Sequence, residues 1–352
     1  MSTQVLSTQA QRIGRLKAEI LEHVIPQEII GKVCRSMKKA IPKNSSETVV
    51  FRRWLPKGAT TNTPNTWTVD PTTHRLNEGE TPSSDTIQAQ DITVSLEEYG
   101  LIYRFSNRVE ELYEDEVPSE MKRQLGERMG LLLEQIRYGK LKAATNVYRA
   151  GNVASRSLVT ALLSTNVLAN VARGLFANLA PKVTSILSPS AMIGTTSVEA
   201  AYVVVCSGDL EQDIRNLTGF THVSDYGSRK VIHDNELGSW QQFRFVISPH
   251  MAPYLNAGTT ATASTRLAAG VANTAGSELV DVYPMLVLTE DAYGDVMLRG
   301  IDGWKATFKP AGTDSSDDPL GQRGYVAART YFSVVRLNEL HMAVVEVACS
   351  SL

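Results

Sequence analysis

The sequence predicts an α+β fold, on three observations. Residues 118–148 carry apolar side chains at helical spacing and read as one long helix. Arg323–Cys349 (RGYVAARTYFSVVRLNELHMAVVEVAC) is dominated by Val, Tyr and Phe and reads as strand. Between them, short strands of buried type such as Ala201–Cys206 (AYVVVC) alternate with helical segments, the order expected of a mixed unit.

Taken from the start, residues 1–46 hold a helix at Ala10–Val24, with Ile13, Leu16, Ile20 and Val24 on one stripe and Pro26 ending it. A basic stretch follows, with Lys32, Arg35, Lys38, Lys39 and Lys43 beside Ile29, Ile30 and Val33. This segment has too little apolar content to fold alone and reads as an arm lying on something else. Glu47–Leu55 (ETVVFRRWL) is a strand, and Ile92–Phe105 a second strand region with a bend at Gly100. Between them, Pro56–Gln90 offers only Trp67, Val69, Leu76 and Ile87 as larger apolar groups. Loops longer than ~15 residues are usually functional or disordered. A lone two-stranded hairpin is marginal in water. Either a neighbouring chain covers this hairpin or it is a disordered surface loop.

An acidic turn, Glu110–Glu116 (EELYEDE), precedes the long helix, which Pro118 opens. Leu125, Met129, Leu132, Ile136, Ala143 and Val147 form its apolar stripe, while Glu120, Arg123, Glu127, Glu134, Arg137 and Lys140 supply charges for pairs along the helix. Gly126, Gly130 and Gly139 interrupt it, as hinges or as points of close helix packing. Ser157–Val183 reads as a second amphipathic helix, and Asp209–Thr218 as a third with Asp209 as N-cap. Phe243–Ile247 and Val280–Leu288 are further strands, separated by an Ala/Thr/Gly-rich loop at Leu255–Gly276. Asp317–Gln322 is a turn leading into the terminal strand run.

Hydrophobic residues make up 43% of the 352 residues and charged residues 20%, the profile of a globular chain. The formal net charge of -2 gives no global positive field for nucleic acid. No apolar run approaches the ~18 residues that span a bilayer, and no secretory signal is visible. Cys34, Cys206 and Cys349 are far apart and read as small buried hydrophobes. No phosphate loop, GxGxxG, HExxH or GxSxG is present, so no catalytic, cofactor-binding or metal residue is assigned. His233 with Asp234 and Glu236, and the pair Asp317 and Asp318, read as turn chemistry.

The run DPLGQRGYVAARTYFSVVRLNEL, Asp318–Leu340, resembles the C-terminal signature of tailed-phage major capsid proteins, in particular the coliphage N-four-like capsid family. The upstream segments Ile92–Phe105 and AYVVVCSGDLEQDIRNLTGF (Ala201–Phe220) agree in order, so the likeness runs from about residue 47 to the end. It implies the Hong Kong 97-type capsid fold. In that frame residues 1–46 are the N-terminal arm and 47–96 the E-loop. Residues 97–150 and 323–352 are the P-domain, with a spine helix at about 118–148, and 151–322 are the A-domain.

The function implied is a structural subunit that forms hexamers and pentamers of an icosahedral, DNA-filled shell in the virion, assembled in the host bacterial cytoplasm and maturing from a procapsid. The E-loop residues Lys57, Trp67, Val69, Leu76 and Ile87 would contact a neighbouring subunit. Arg12, Arg15, Lys17, Lys32, Arg35, Lys38 and Lys39 would face packaged double-stranded DNA, by weak nonspecific contact, or a neighbour. No helical segment ahead of the arm suggests a fused scaffold, so a separate scaffolding protein is expected, together with a portal and a decoration protein. Lys57 sits at the E-loop base, but no motif identifies a cross-linking partner. The reading from another class is a soluble α/β enzyme or ligand-binding protein with a flexible insert at 56–90.

Overall fold

A computed structural model describes residues 29–33, 37–42, 46–55, 71–72, 74–76, 78–79, 88–112, 117–183, 200–227, 231–260, 279–290, 292–298, 305–313 and 318–350. The helix expected at Ala10–Val24 lies outside them. The elements begin with α1 (Ile30–Val33), β1 (Met37–Ile41), β2 (Thr48–Leu55), β3 (Gln88–Ser95), β4 (Glu97–Ser106), α2 (Asn107–Leu112), α3 (Val117–Leu141) and β5 (Val147–Arg149). They continue with α4 (Thr165–Ala177), β6 (Tyr202–Ser207), α5 (Glu211–Arg215), β7 (Thr221–His222), β8 (Glu236–Trp240) and β9 (Phe243–Ser248). The last are β10 (Tyr283–Leu288), β11 (Tyr293–Leu298), β12 (Lys305–Lys309), β13 (Arg323–Arg336) and β14 (Met342–Val347).

A seven-stranded mixed sheet, in the order β5-β14-β10-β6-β9-β8-β7, forms one body of the fold. Its central strands are continuous apolar runs because both faces are covered. The two-residue side-chain period divides each run between two cores. Tyr202, Val204 and Cys206 point into a cluster with Val167, Leu168, Val171 and Leu175 of α4. Val203 and Val205 point the other way, into a cluster with Leu133, Tyr138 and Leu141 of α3. Strands β10 and β14 divide in the same manner.

The second body is built on β13. Strand β4 pairs antiparallel along Arg323–Phe332, while β12 and β11 lie end to end along the opposite edge, at Tyr325–Arg329 and Phe332–Arg336. Strand β1 closes this five-stranded sheet as a parallel partner of β11. Helix α3, about 37 Å long at 1.5 Å per residue, packs over it. Met121, Leu125 and Met129 meet Phe105, Val326 and Ala328. Gly324 lies where a Cβ would run into the Phe105 ring and the Ala311 amide, so only glycine allows this approach.

Several expectations change here. The long helix ends at Leu141 rather than 148, because the chain turns so that Val147–Arg149 can pair with β14; Ala143 is exposed. Its buried row is Met121, Leu125, Met129, Leu133, Arg137 and Leu141, with Glu134 also buried, so two of the charges expected to pair along the helix lie inside. The helix expected at 157–183 is reduced to α4, flanked by a 3₁₀ turn at Arg156–Leu158 and stopped where Leu179 takes a positive φ of 52°. Asp209 is not the N-cap; the Ser207 hydroxyl accepts from the Asp209 amide. The strand does not bend at Gly100, which pairs with Arg329, and the break falls at Leu96. A Cβ at Gly100 would lie 3.3 Å from the Ala328 carbonyl, so the glycine serves close strand approach. Strand β10 starts at Tyr283, after Asp281 has accepted a hydrogen bond from the Asn256 amide.

The terminal run is two strands in two different sheets, divided by the turn at Leu337–His341. Strands β11 and β12, from the segment expected in the middle unit, belong with β4 and β13, while β14 joins the seven-stranded sheet. The boundary at 322/323 therefore does not separate the two bodies. Residues 29–33 and 37–41 lie on their own chain: Ile29 and Ile30 are buried in the core beside α3, and β1 is a sheet strand.

Gly130 and Gly139 face open space, so close helix packing does not account for them. Gly130→Ala and Gly139→Ala are each expected to raise the stability of the isolated subunit by about 1 kcal/mol. Urea denaturation checks this, and a loss of stability would show that the local backbone needs glycine.

Candidate functional site

Strands β2 and β3 form a separate antiparallel two-stranded sheet, in register from Thr48↔Ser95 to Leu55↔Gln88. Its second strand begins at Gln88, earlier than Ile92, because the ladder extends outward from the body. Only the root is anchored. Phe51 and Val94 are buried with Ile41 and Val296, and Val49, Ile92, Leu298, Val335 and Leu337 pack around them. Burying a side chain such as Phe51 or Val94 is worth roughly 1.5–3 kcal/mol, which a hairpin without its own core requires.

The opposite face is open. Alternation places Val50, Arg52 and Trp54 on one side of β2, and all three are exposed. Trp54 is 64% exposed and Leu76, nearer the tip, 70%. Arg52 grips Asp91 across the strands in a fork, Nε–Oδ1 2.7 Å and Nη2–Oδ2 2.8 Å, and this hydrogen bonding lowers the Asp91 pKa. Such an exposed pair orients the strands but contributes little stability.

On the body-facing side a cleft of about 260 Å³ opens between the hairpin root, β1 and the Leu337–His341 turn, lined among others by Lys39, Phe51, Arg53, Leu337, Asn338 and His341. Arg53 Nη1 donates to Asn338 Oδ1 at 2.9 Å. Lys39 Nζ donates to the Val50 carbonyl at 3.1 Å and lies 4.5 Å from the Phe51 ring centroid. Burial lowers the Arg53 pKa, and burial together with the Arg53 charge pushes His341 down to about 4.

The sign of the pH effect follows. An unfolded histidine takes up its proton near pH 6.5, whereas folded His341 resists until about 4. Between those values the unfolded chain binds the extra proton, so this group's contribution falls as pH falls through that window. Burial lowers His233 and His250 as well, in the same sense. His341→Gln is expected to flatten part of the loss in urea midpoint between pH 6.5 and 4. An unaltered slope would discount the group.

A second polar centre ties the arm to the core. Arg137, 2% exposed, donates from Nε to Asp295 Oδ2 at 3.2 Å, lies 4.0 Å from Glu134 Oε2 and sits 5.0 Å from the Phe332 ring centroid. Glu134 Oε1 accepts from the amides of Ile29 (3.2 Å) and Ile30 (2.8 Å), and Tyr293 Oη donates to the Ile30 carbonyl at 3.2 Å. A third lies at Glu346, fully buried, which binds Arg149 at 2.9 Å and Arg156 at 2.5 Å.

Of the residues singled out from sequence, Leu76 is exposed on the hairpin side, and Lys32 and Lys39 are exposed on the described part of the arm. Lys38 lies in β1. Arg12, Arg15, Lys17, Arg35, Lys57, Trp67, Val69 and Ile87 lie outside the described residues. Trp54, Arg53 and His341 were not signalled by any motif; an aromatic on the polar side of a β alternation was the one available sign. His233 Nδ1 accepts from the Asn235 amide, which is turn chemistry, but Glu236 is not part of a solvated turn: it is buried in β8, accepts from Tyr226 Oη (2.7 Å) and the Ile232 amide (2.6 Å), and lies 3.6 Å from Arg244 Nε. Asp318 likewise accepts from the Arg323 amide at 2.8 Å. Cys206 and Cys349 are buried, and burial pushes both thiols up to about 12. No group of three His, Cys, Asp or Glu side chains among the described residues is arranged to hold a metal ion.

The profile of the family described as phage capsid protein matches residues 89–336, more than two thirds of the chain. A curated relative, the major capsid protein of Pseudomonas phage KPP21, is 25% identical over 167 residues, covering 44% of this chain and 41% of that protein. The match thus spans about two fifths of that relative. Among solved structures, the capsid of Ralstonia phage GP4 superposes with TM-score 0.65 at 13% identity, covering 99% of this chain and 98% of that one. The capsid asymmetric unit of cyanophage Pam1 gives 0.62 at 13% identity, covering 99% and 100%. At these identities the likeness is one of fold.

Proposed function

The chain belongs to the phage capsid protein family, with its Hong Kong 97-type fold and its structural, non-catalytic character, and from that premise we propose that it is the major shell subunit and assembles through its hairpin. The observation that carries this is the asymmetry of that hairpin. Its root is packed into the body by Phe51 and Val94, while its outer face presents Val50, Arg52 and Trp54 to solvent. A face of that composition is stable in water when another subunit covers it.

In this reading 47–96 is the E-loop, and Trp54 joins Lys57, Trp67, Val69, Leu76 and Ile87 as its contact residues. Helix α3 is the spine of a P-domain that takes in β1, β4, β11, β12 and β13, and the seven-stranded sheet with α4 is the core of the A-domain. The same chain forms both hexamers and pentamers of a shell enclosing double-stranded DNA, built in the host bacterial cytoplasm with a separate scaffolding protein, a portal and a decoration protein. The basic arm residues Arg12, Arg15, Lys17, Lys32, Arg35 and Lys38 meet packaged DNA without sequence preference, whereas Lys39, expected with them, is turned to the hairpin root, where it donates to the Val50 carbonyl. Lys38→Glu should then leave assembly intact and impair packaging, whereas failed assembly would assign the arm to a neighbouring subunit.

The deciding experiment is negative-stain microscopy with sizing chromatography, on the full chain and on a deletion of residues 57–88, each with a co-expressed scaffolding protein. Shells, tubes or rings from the full chain that vanish on deletion are the expected result. A well-folded monomer indifferent to the deletion would overturn the proposal.

A further inference from the structure

We infer that the cleft at the hairpin root is the receptor for the α2 terminus of a second copy of this chain, Glu111 entering beside Lys39 and Arg53 and Leu112 against the apolar wall. The inference rests on the shell-subunit reading and adds a specific contact to it.

Cations converge on this cleft, and no described carboxylate lines it. Arg52 is already bound to Asp91. Arg53 has no carboxylate partner among the described residues, and a guanidinium offers five N–H donors, of which the bond to Asn338 uses one. Burial is the main cause of the depressed His341 pKa, and the Arg53 charge adds to it, so that charge is felt across the cleft. Phe51, Ile92 and Leu337 supply an apolar side. A bare phosphate would leave that side unfilled; an acidic side chain next to a large apolar one fills both.

The chain carries such a pair. Helix α2 ends with Glu111 exposed and Leu112 64% exposed, while its neighbour Glu110 is held in place by accepting from the Ala311 amide at 3.0 Å. The contact has to form between chains. The ten residues of β4 separate the hairpin root from α2, and an extended strand of that length spans roughly 33 Å. Two different patches that far apart make a heterologous contact, and head-to-tail contacts close into rings when the rotation permits. Rings are the capsomers that a shell subunit needs.

The test is a charge exchange in the full-length chain, with wild type in parallel. Arg53→Glu and Glu111→Arg are each expected to weaken ring association by roughly thirtyfold, read by analytical ultracentrifugation and negative stain. The double variant is expected to recover most of that loss, with melting curves of the unassembled subunits unchanged. Where a swap lowers the melting temperature, Arg53→Gln and Glu111→Gln give the same cycle with less disturbance. Single variants that assemble like wild type, or a double variant no better than the product of the singles, would overturn the inference and leave the shell-subunit reading standing. Normal shells of Arg53→Glu that retain less DNA would also overturn it, giving the cleft to phosphate. A wild-type chain that never assembles would remove both.

Discussion

Asp295→Ala is expected to destabilise the subunit by about 3–5 kcal/mol, because it takes a hydrogen-bonded carboxylate away from a buried guanidinium. Arg137 is 2% exposed and Asp295 fully buried, so water does not replace the lost carboxylate. Glu134 also faces the guanidinium, but from 4.0 Å, and its Oε1 is committed to the amides of Ile29 and Ile30. The damage should therefore reach the arm, and amide exchange at Ile29 and Ile30 should accelerate along with the fall in urea midpoint. A double-mutant cycle with Arg137→Met separates the pair from its surroundings. Asp295→Leu combined with Arg137→Met is expected to regain much of the loss, since matched apolar replacement of a buried pair is often neutral or better. Single and double variants of equal instability would contradict this account.

Trp54→Ala should have the opposite profile, with assembly lost and the subunit intact. The side chain is 64% exposed on the face of β2 away from the anchoring cluster, so truncation leaves no cavity in the chain itself. Substitutions at such sites usually change stability by no more than about 0.5 kcal/mol. A tryptophan at the centre of an interface commonly contributes about 2 kcal/mol or more per contact, and a shell repeats the contact in every subunit. The expected outcome is a normal melting curve with a sharply raised critical concentration for assembly. Assembly at the wild-type concentration would move the interface off this face of the hairpin.

Local features of the chain carried much of this architecture. The apolar runs at 201–206, 243–247 and 323–349 announced strands, and their two-residue period already contained the division of Tyr202, Val204 and Cys206 from Val203 and Val205. The stretch between Leu55 and Gln88, poor in apolar residues, announced a segment without a core of its own. Period and composition are short-range quantities, and sequence reports them directly.

Long-range contact decided the rest. The run at 323–349 reads as one strand, yet Leu337–His341 sends its two halves into different sheets, because β13 finds β4 while β14 finds β10. Arg137 and Glu134 read as charges spaced to pair along an amphipathic helix. They are buried because Asp295, 158 residues away from Arg137, and the arm amides wait for them inside. The cleft brings His341 of the Leu337–His341 turn to Lys39 of β1 and Arg53 of β2, from the far end of the chain. What the sequence by itself determined is which segments are strand or helix and which lack a core. Only the tertiary structure decided which strands pair and which charges are buried, since both depend on free energies between residues that have no relation in sequence until the chain has folded.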